Sequence, residues 1–353
     1  MNEVKGMSNN RIAYIDWAKG VGMLLIMLGH INELSNPIVT WGDSFKIAIF
    51  YIISGYLFTL KRGKYQSTRE FALEKLKTFG IPYIVFSAAA IVIDTIYGIY
   101  KGKAITDVLL KDIYAVFSLR GVSTLWFLPS LFIAEILCFW VIKKKVKQQI
   151  GIAMIIFAVG IVLHLGNACI NSVEHPNELL LFVSYPLAVF EKSIVASGFF
   201  FFSAKLTSRI QELTAAILVF GGVNIVLSQL NCGIDFNNLQ YGDIPILFFI
   251  CGILGSYSII GLLKWLESKR LKLHYLNFLG TNSLFIMCTH LPLYIAQCVS
   301  FIVRKILPAD SMGIGYYAYS LCCLILLSII EWILLNVWNT AKNWLQGNGR
   351  KSY

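Results

Sequence analysis

A polypeptide that enters hydrocarbon can place its backbone hydrogen bonds only within itself, so a chain rich in long apolar runs has few folds open to it. This sequence reads as about ten such runs, each near the roughly 20 residues that a helix rising about 1.5 Å per residue needs to cross a bilayer core. They cover approximately 12–34, 44–60, 79–99, 124–142, 150–168, 179–203, 213–230, 241–263, 277–303 and 315–340. With 57% hydrophobic and only 14% charged residues, the chain lies far from the balance of a soluble domain. The fold class expected is an all-α integral membrane protein, a bundle of about ten transmembrane helices. Residues 1–353 form one domain, since no Pro-, Gly- or Ser-rich linker and no inverted internal repeat divides them.

The net charge of +11 would suit a nucleic acid or a membrane surface if it were gathered in a patch. Instead it is spread over short loops, so it reads as a signal of orientation in the bilayer, and no nucleic-acid partner is indicated. With the N-terminus cytoplasmic, the inner loops carry an about threefold excess of Lys and Arg over the outer ones. Both termini are therefore expected in the cytoplasm. The start of the chain does not read as a cleaved signal peptide, because Asp16 and Lys19 interrupt its apolar run and no small-residue cleavage site follows. The eight cysteines show no CxxC spacing and mostly fall in apolar runs, which argues against a disulfide framework or a zinc site, and no metal is expected. Cys169 and Cys232, in predicted outer loops, are the pair that could bridge.

The first run is unusual in carrying Asp16, Lys19 and His30. A charge near the bilayer centre costs about 2.5 kcal/mol or more, so such groups usually face a protein interior or a wet cavity. At 100° per residue, Lys19 and His30 differ by only about 20° around the axis, and all three groups share a stripe roughly 60° wide. They can look into one cavity, with Lys19 and His30 roughly 16 Å apart along the axis. Ala18, Gly22 and Gly29 lie roughly opposite, where small residues let another helix come close. The plainer reading of the stripe is snorkelling or mutual pairing. Asp94, Glu135, Glu191, Lys192, Glu331 and His290 are further ionisable residues inside apolar runs, and each is a functional candidate for the same reason.

Several stretches, taken together, resemble the membrane-bound acyltransferase 3 family. They begin with Ile15-Asp16 and the basic residue Lys19, followed after ten residues by His30. Next come the Phe-rich segment from Phe45 to Arg62 with its Ser54-Gly55-Tyr56, and the basic residues Lys75 and Lys77 ahead of Pro82. LWFLPSLF from Leu125 to Phe132 and LGTNSLFIMCTH from Leu279 to His290 look like the branch that contains fucose 4-O-acetylase-like proteins. The likeness runs through nearly the whole chain in order and is weakest in the middle spans. It departs from the family's commoner Arg at Lys19 and in the basic run, where a lysine acts as a point charge and not as a bidentate fork.

That resemblance implies a membrane O-acyltransferase, most simply an O-acetyltransferase, in the plasma membrane. It would take an acyl group from cytosolic acyl-CoA, commonly acetyl-CoA, to a hydroxyl of an extracytoplasmic or lipid-linked glycan, with no bound cofactor. The residues suit this task. A sugar hydroxyl attacks a thioester poorly until a base takes its proton, and His30 is the candidate base, with Asp16 and Lys19 on the same stripe. Lys61, Arg62, Lys75 and Lys77 are candidate contacts for the phosphates of the donor, although a positive-inside loop has the same composition for topological reasons alone. Ser54 and Gly55 are candidates to admit the thin pantetheine arm, or simply to pack helices. Trp126, Glu135 and His290 are candidates for an acceptor pocket. A transporter or flippase for a polar solute, or a non-catalytic protein of the same fold, would also want charges inside a helix bundle.

Overall fold

A computed structural model describes residues 11–31, 36–60, 65, 67–173, 178–206, 217–307 and 314–348. The described residues are helical almost throughout, apart from one small antiparallel hairpin pairing Ile234 with Tyr241 and Asp235 with Gln240. Among the described residues, seven helical stretches are long and apolar enough to cross a membrane. These include α7 (Phe127–Ile142), α8 (Val146–Asn171), α9 (Glu178–Leu206), α11 (Pro245–Ser268) and α15 (Ile314–Asn348). α7 lies at the centre, with 72% of its apolar window inside the bundle, whereas α8 keeps only 6% of its own there and forms the edge.

Three expected spans take other forms. α1 (Ala13–Ile31) is a continuous helix of 19 residues, but Asp16, Lys19 and His30 dilute its hydropathy. α10 is described only over Ile217–Gln229, because 207–216 lie outside the described residues. The expected helix at 277–303 is a broken one. It is divided into α12 (His274–Thr281), α13 (Ser283–Thr289) and α14 (Ile295–Ile306). Irregular backbone at membrane depth persists where it is buried in protein or lines a cavity, and His290 in this break is fully buried.

Caps and turns explain the other departures. The Asn36 side chain accepts from the backbone N–H groups of Ile38 and Val39, starting α2 (Pro37–Asp43) just ahead of α3 (Ala48–Leu60). The described part of the predicted cytoplasmic loop after α3 is largely helical. Ser67 caps α4 (Thr68–Lys75), which passes through one π-helical turn over Leu76–Gly80 into α5 (Ile81–Tyr100). The predicted outer loop at 100–123 likewise contains a helix, α6 (Ile105–Phe117), and an aromatic cluster fills the predicted inner end of the bundle, where Phe71 stacks on Phe139 at 4.5 Å between ring centres.

α1 is clamped against α12 with almost no space between their backbones. A methyl group added at Gly280 would strike the Asp16 carbonyl, and one at Gly20 would strike the Leu276 carbonyl. Gly22, expected to admit a neighbouring helix, faces Ile49 and Phe50 of α3, and Gly29 faces Lys46. Cys169 and Cys232 are both free thiols, so the bridge allowed by sequence is not formed.

Candidate active site

The break in the ninth apolar run is built by local chemistry. Asn282 separates α12 from α13, and beyond Thr289 the chain turns through Pro292 to Tyr294, whose φ of 59° puts a bulky residue in the left-handed region. The turn is hydrogen-bonded to itself, with Ala296 N donating to the His290 carbonyl at 2.8 Å and Leu293 N to the Thr289 carbonyl at 3.1 Å. From α15, Glu331 accepts the Thr289 hydroxyl at 2.7 Å. Thr124, just before α7, donates to the Met287 carbonyl at 2.8 Å. Neighbours on two sides therefore hold the end of α13.

His290 occupies this end. Its Nδ1 lies 2.6 Å from the Ile286 carbonyl, and a carbonyl can only accept, so Nδ1 carries the hydrogen. In the neutral ring, Nε2 is then the basic nitrogen. Nε2 is buried and has no hydrogen-bond partner among the described residues. Beside it stands His30, with ring centres 5.3 Å apart and the planes tilted by 42°. The structure thus brings together two histidines that are 260 residues apart in the chain.

Toward the predicted inner side lies a cavity of about 380 Å³, lined by Lys19, Ser54, Lys75, Glu135 and Thr281 among others. Its wall includes Met287, one helical turn before His290, so the same short helix borders the cavity and carries the imidazole. Lys75 Nζ is 2.6 Å from Glu135 Oε2 and lies over the rings of Phe71 and Phe79. Lys19 is 3.2 Å from Asp16, which is itself buried and absent from the cavity wall. In this arrangement Asp16 holds the lysine, and Lys19 meets the cavity.

The remaining sequence candidates separate. Ser54 lines the cavity, whereas Gly55 points at α9, where a methyl would strike the Phe200 carbonyl; this glycine packs helices. Lys77, in the π turn, is exposed and does not share the cavity with Lys75. Lys61 and Arg62 lie outside the described residues. Glu135, grouped with acceptor candidates by sequence, belongs to the inner cavity as the partner of Lys75. Trp126 is only 5% exposed, and its ring is covered by Lys192 Nζ at 4.5 Å and flanked by Phe236 of the small hairpin. Lys192 in turn reaches Asn237 at 2.9 Å, while Glu191 takes His164, Asn167 and Tyr241 as partners, so these adjacent charges serve different neighbours.

Glu331 stands out in the sequence as an ionisable residue in an apolar run, but its bond to Thr289 does not. Nothing local signals that bond, because the partners are 42 residues apart. The buried hydroxyl pairs Tyr14–Tyr56, at 2.7 Å, and Tyr51–Ser130, at 3.0 Å, were equally invisible.

The family model described as an acyltransferase domain, acyltransferase 3, matches residues 12–335. No curated protein and no solved structure matches the chain. The family match covers nearly the whole sequence, and the chain belongs to this family as a multi-pass membrane acyltransferase.

Proposed function

We propose that this acyltransferase moves an acyl group, most simply acetyl, from cytosolic acyl-CoA to a hydroxyl of an extracytoplasmic or lipid-linked glycan at the plasma membrane. The observation that carries the reading is the His30–His290 pair, in which His290 is fully buried with a basic Nε2 and His30 is partly exposed, at the end of the helix that borders the Lys19–Lys75 cavity. In this reading α1, α10 and the broken helix complete a bundle of ten crossings with both termini in the cytoplasm. The positive-inside distribution of Lys and Arg supports that topology.

The donor's pantetheine arm enters the inner cavity past Ser54, and Lys19 and Lys75 offer charge to its phosphates. An extended arm suits the roughly 16 Å between Lys19 and His30, which one compact substrate could not bridge. The acceptor hydroxyl loses its proton to the histidine pair as its oxygen attacks the thioester carbonyl. The carbon–sulfur bond then breaks, and the proton passes from imidazolium to the departing thiolate. His30 is the residue assigned to the acceptor, and His290 holds the tautomer that can take a proton. The purified protein supplied with labelled acetyl-CoA and cell-envelope glycans should transfer label to the glycan. Transport of a glycan without any label transfer would instead favour a flippase.

A further inference from the structure

A second polar cavity, of about 280 Å³, opens on the predicted outer side between the end of α5, α6 and the break that follows α13. Its volume is near the small end of the range for ligand pockets, about 300–1,000 Å³. One wall is aromatic: Tyr97 of α5 packs on Tyr294 of the break with ring centres 5.0 Å apart and planes tilted by 42°, and Lys101 Nζ lies 5.5 Å from the centre of the Tyr97 ring. The opposite wall includes Asp112 of α6, which is only 7% exposed. Its Oδ2 is buried without a hydrogen-bond partner among the described residues, and the group beside it is another carboxyl, that of Asp94. Asp94 also faces the Tyr294 hydroxyl. Since the Tyr294 hydroxyl donates to Asp94, Asp112 is the carboxyl of the facing pair that lacks a donor among the described residues.

The charge balance narrows what that donor can be. Three aspartates, with Asp107 as the third, are matched by Lys101, Lys103 and Lys111, so the cavity is formally neutral. A phosphate would meet three carboxylates, and a metal cation would meet three ammonium groups. A sugar ring has hydroxyls that both donate and accept, and a face of C–H groups that suits the apolar body of a tyrosine. Tyr294 also ties the cavity to the chemistry. It holds a strained left-handed conformation four residues after His290, within the same self-bonded turn.

We infer that this outer cavity is a binding subsite for a neutral saccharide unit that rests against the Tyr97–Tyr294 wall and donates a hydroxyl hydrogen to Asp112. That the bound unit is the acyl acceptor rests on the transferase reading above; the binding itself does not.

The test is ligand-observed saturation-transfer NMR on the full-length protein in detergent, without acyl-CoA. The probes are methyl glycosides of neutral hexoses and 6-deoxyhexoses, compared with methyl glucuronide and inorganic phosphate. Neutral glycosides should receive saturation from the wild-type protein. Binding should be about tenfold weaker or lost in Asp112→Asn and Tyr97→Ala, the second of which alters a half-exposed side chain and leaves the fold intact. The inference is overturned if no neutral glycoside binds, if Tyr97→Ala binds as the wild type does, or if glucuronide or phosphate binds better. Glycoside binding by a protein that never transfers acetyl would keep this subsite and discard the transferase reading. Transfer without glycoside binding here would do the reverse.

Discussion

At the level of single residues, the site depends on which nitrogen holds a proton and which cation meets the cavity. The Ile286 carbonyl leaves His290 Nε2 basic, and His30 stands against that ring. Replacing either histidine by alanine should lower acyl transfer by about 10²- to 10⁴-fold, while the protein still elutes as a folded species. Near-normal turnover in one variant would remove that histidine from the proton transfer. For Lys19, charge and length can be separated. Lys19→Arg should retain activity, and Lys19→Met should raise the KM for acyl-CoA more than that for the acceptor. A Lys19→Met protein that only inserts or folds poorly would reassign Lys19 to its partnership with Asp16. Of the two lysines paired by sequence, Lys75 lines the cavity and Lys77 is exposed, so Lys75→Gln should weaken donor use and Lys77→Gln should not.

At the level of elements, close packing and the broken helix set the geometry. Gly280 meets the backbone of α1 and not a flexible side chain, so Gly280→Ala cannot be absorbed by a rotamer change. It should cost about 3 kcal/mol or more, read as a lower melting temperature in detergent, because overpacking against backbone has little room to relax. The neighbouring pair in α3 should divide cleanly. Gly55→Ala should destabilise through the Phe200 carbonyl, whereas Ser54→Ala, which removes one hydrogen bond to Glu135, should cost less, about 1–2 kcal/mol, and alter acyl-CoA kinetics. If both variants lose stability equally, Ser54 is a packing residue as well. On α6, burial and the neighbouring Asp94 push the Asp112 pKa from 3.8 up to about 6, against the pull of Lys111. A raised carboxyl pKa contributes stability that is full below the unfolded value and fades as the pH climbs through the folded one. Tyr97, Tyr294, Lys101, Lys103 and Asp107 also line this pocket, so the comparison should be made within it. From pH 4 to 7, wild-type stability should fall relative to that of Asp112→Asn, and a constant difference would mean that Asp112 titrates normally.

For the whole molecule, the expected topology puts Cys169 and Cys232 outside, and both are exposed free thiols. In intact cells a membrane-impermeant maleimide should label single-cysteine proteins that retain either residue, while tags on both termini stay protected. Labelling only after the cells are opened would reverse the orientation and with it the assignment of the inner cavity to the donor. Much of this plan was determined by the sequence alone. Runs of apolar residues become helices in hydrocarbon, the Lys and Arg distribution predicts which side is cytoplasmic, and helical period puts Asp16, Lys19 and His30 on one stripe. These are local rules, and they need no knowledge of neighbours. What only the tertiary structure decided is which distant groups meet: His30 with His290, Lys75 with Glu135, Glu331 with Thr289, and Asp112 with Asp94. The same holds for the ninth run, where composition reads as one continuous helix although the backbone is broken. A break at that depth is stable only because Thr124, Glu331 and the walls of α1 and α15 enclose it, and that enclosure comes from residues far away in the chain.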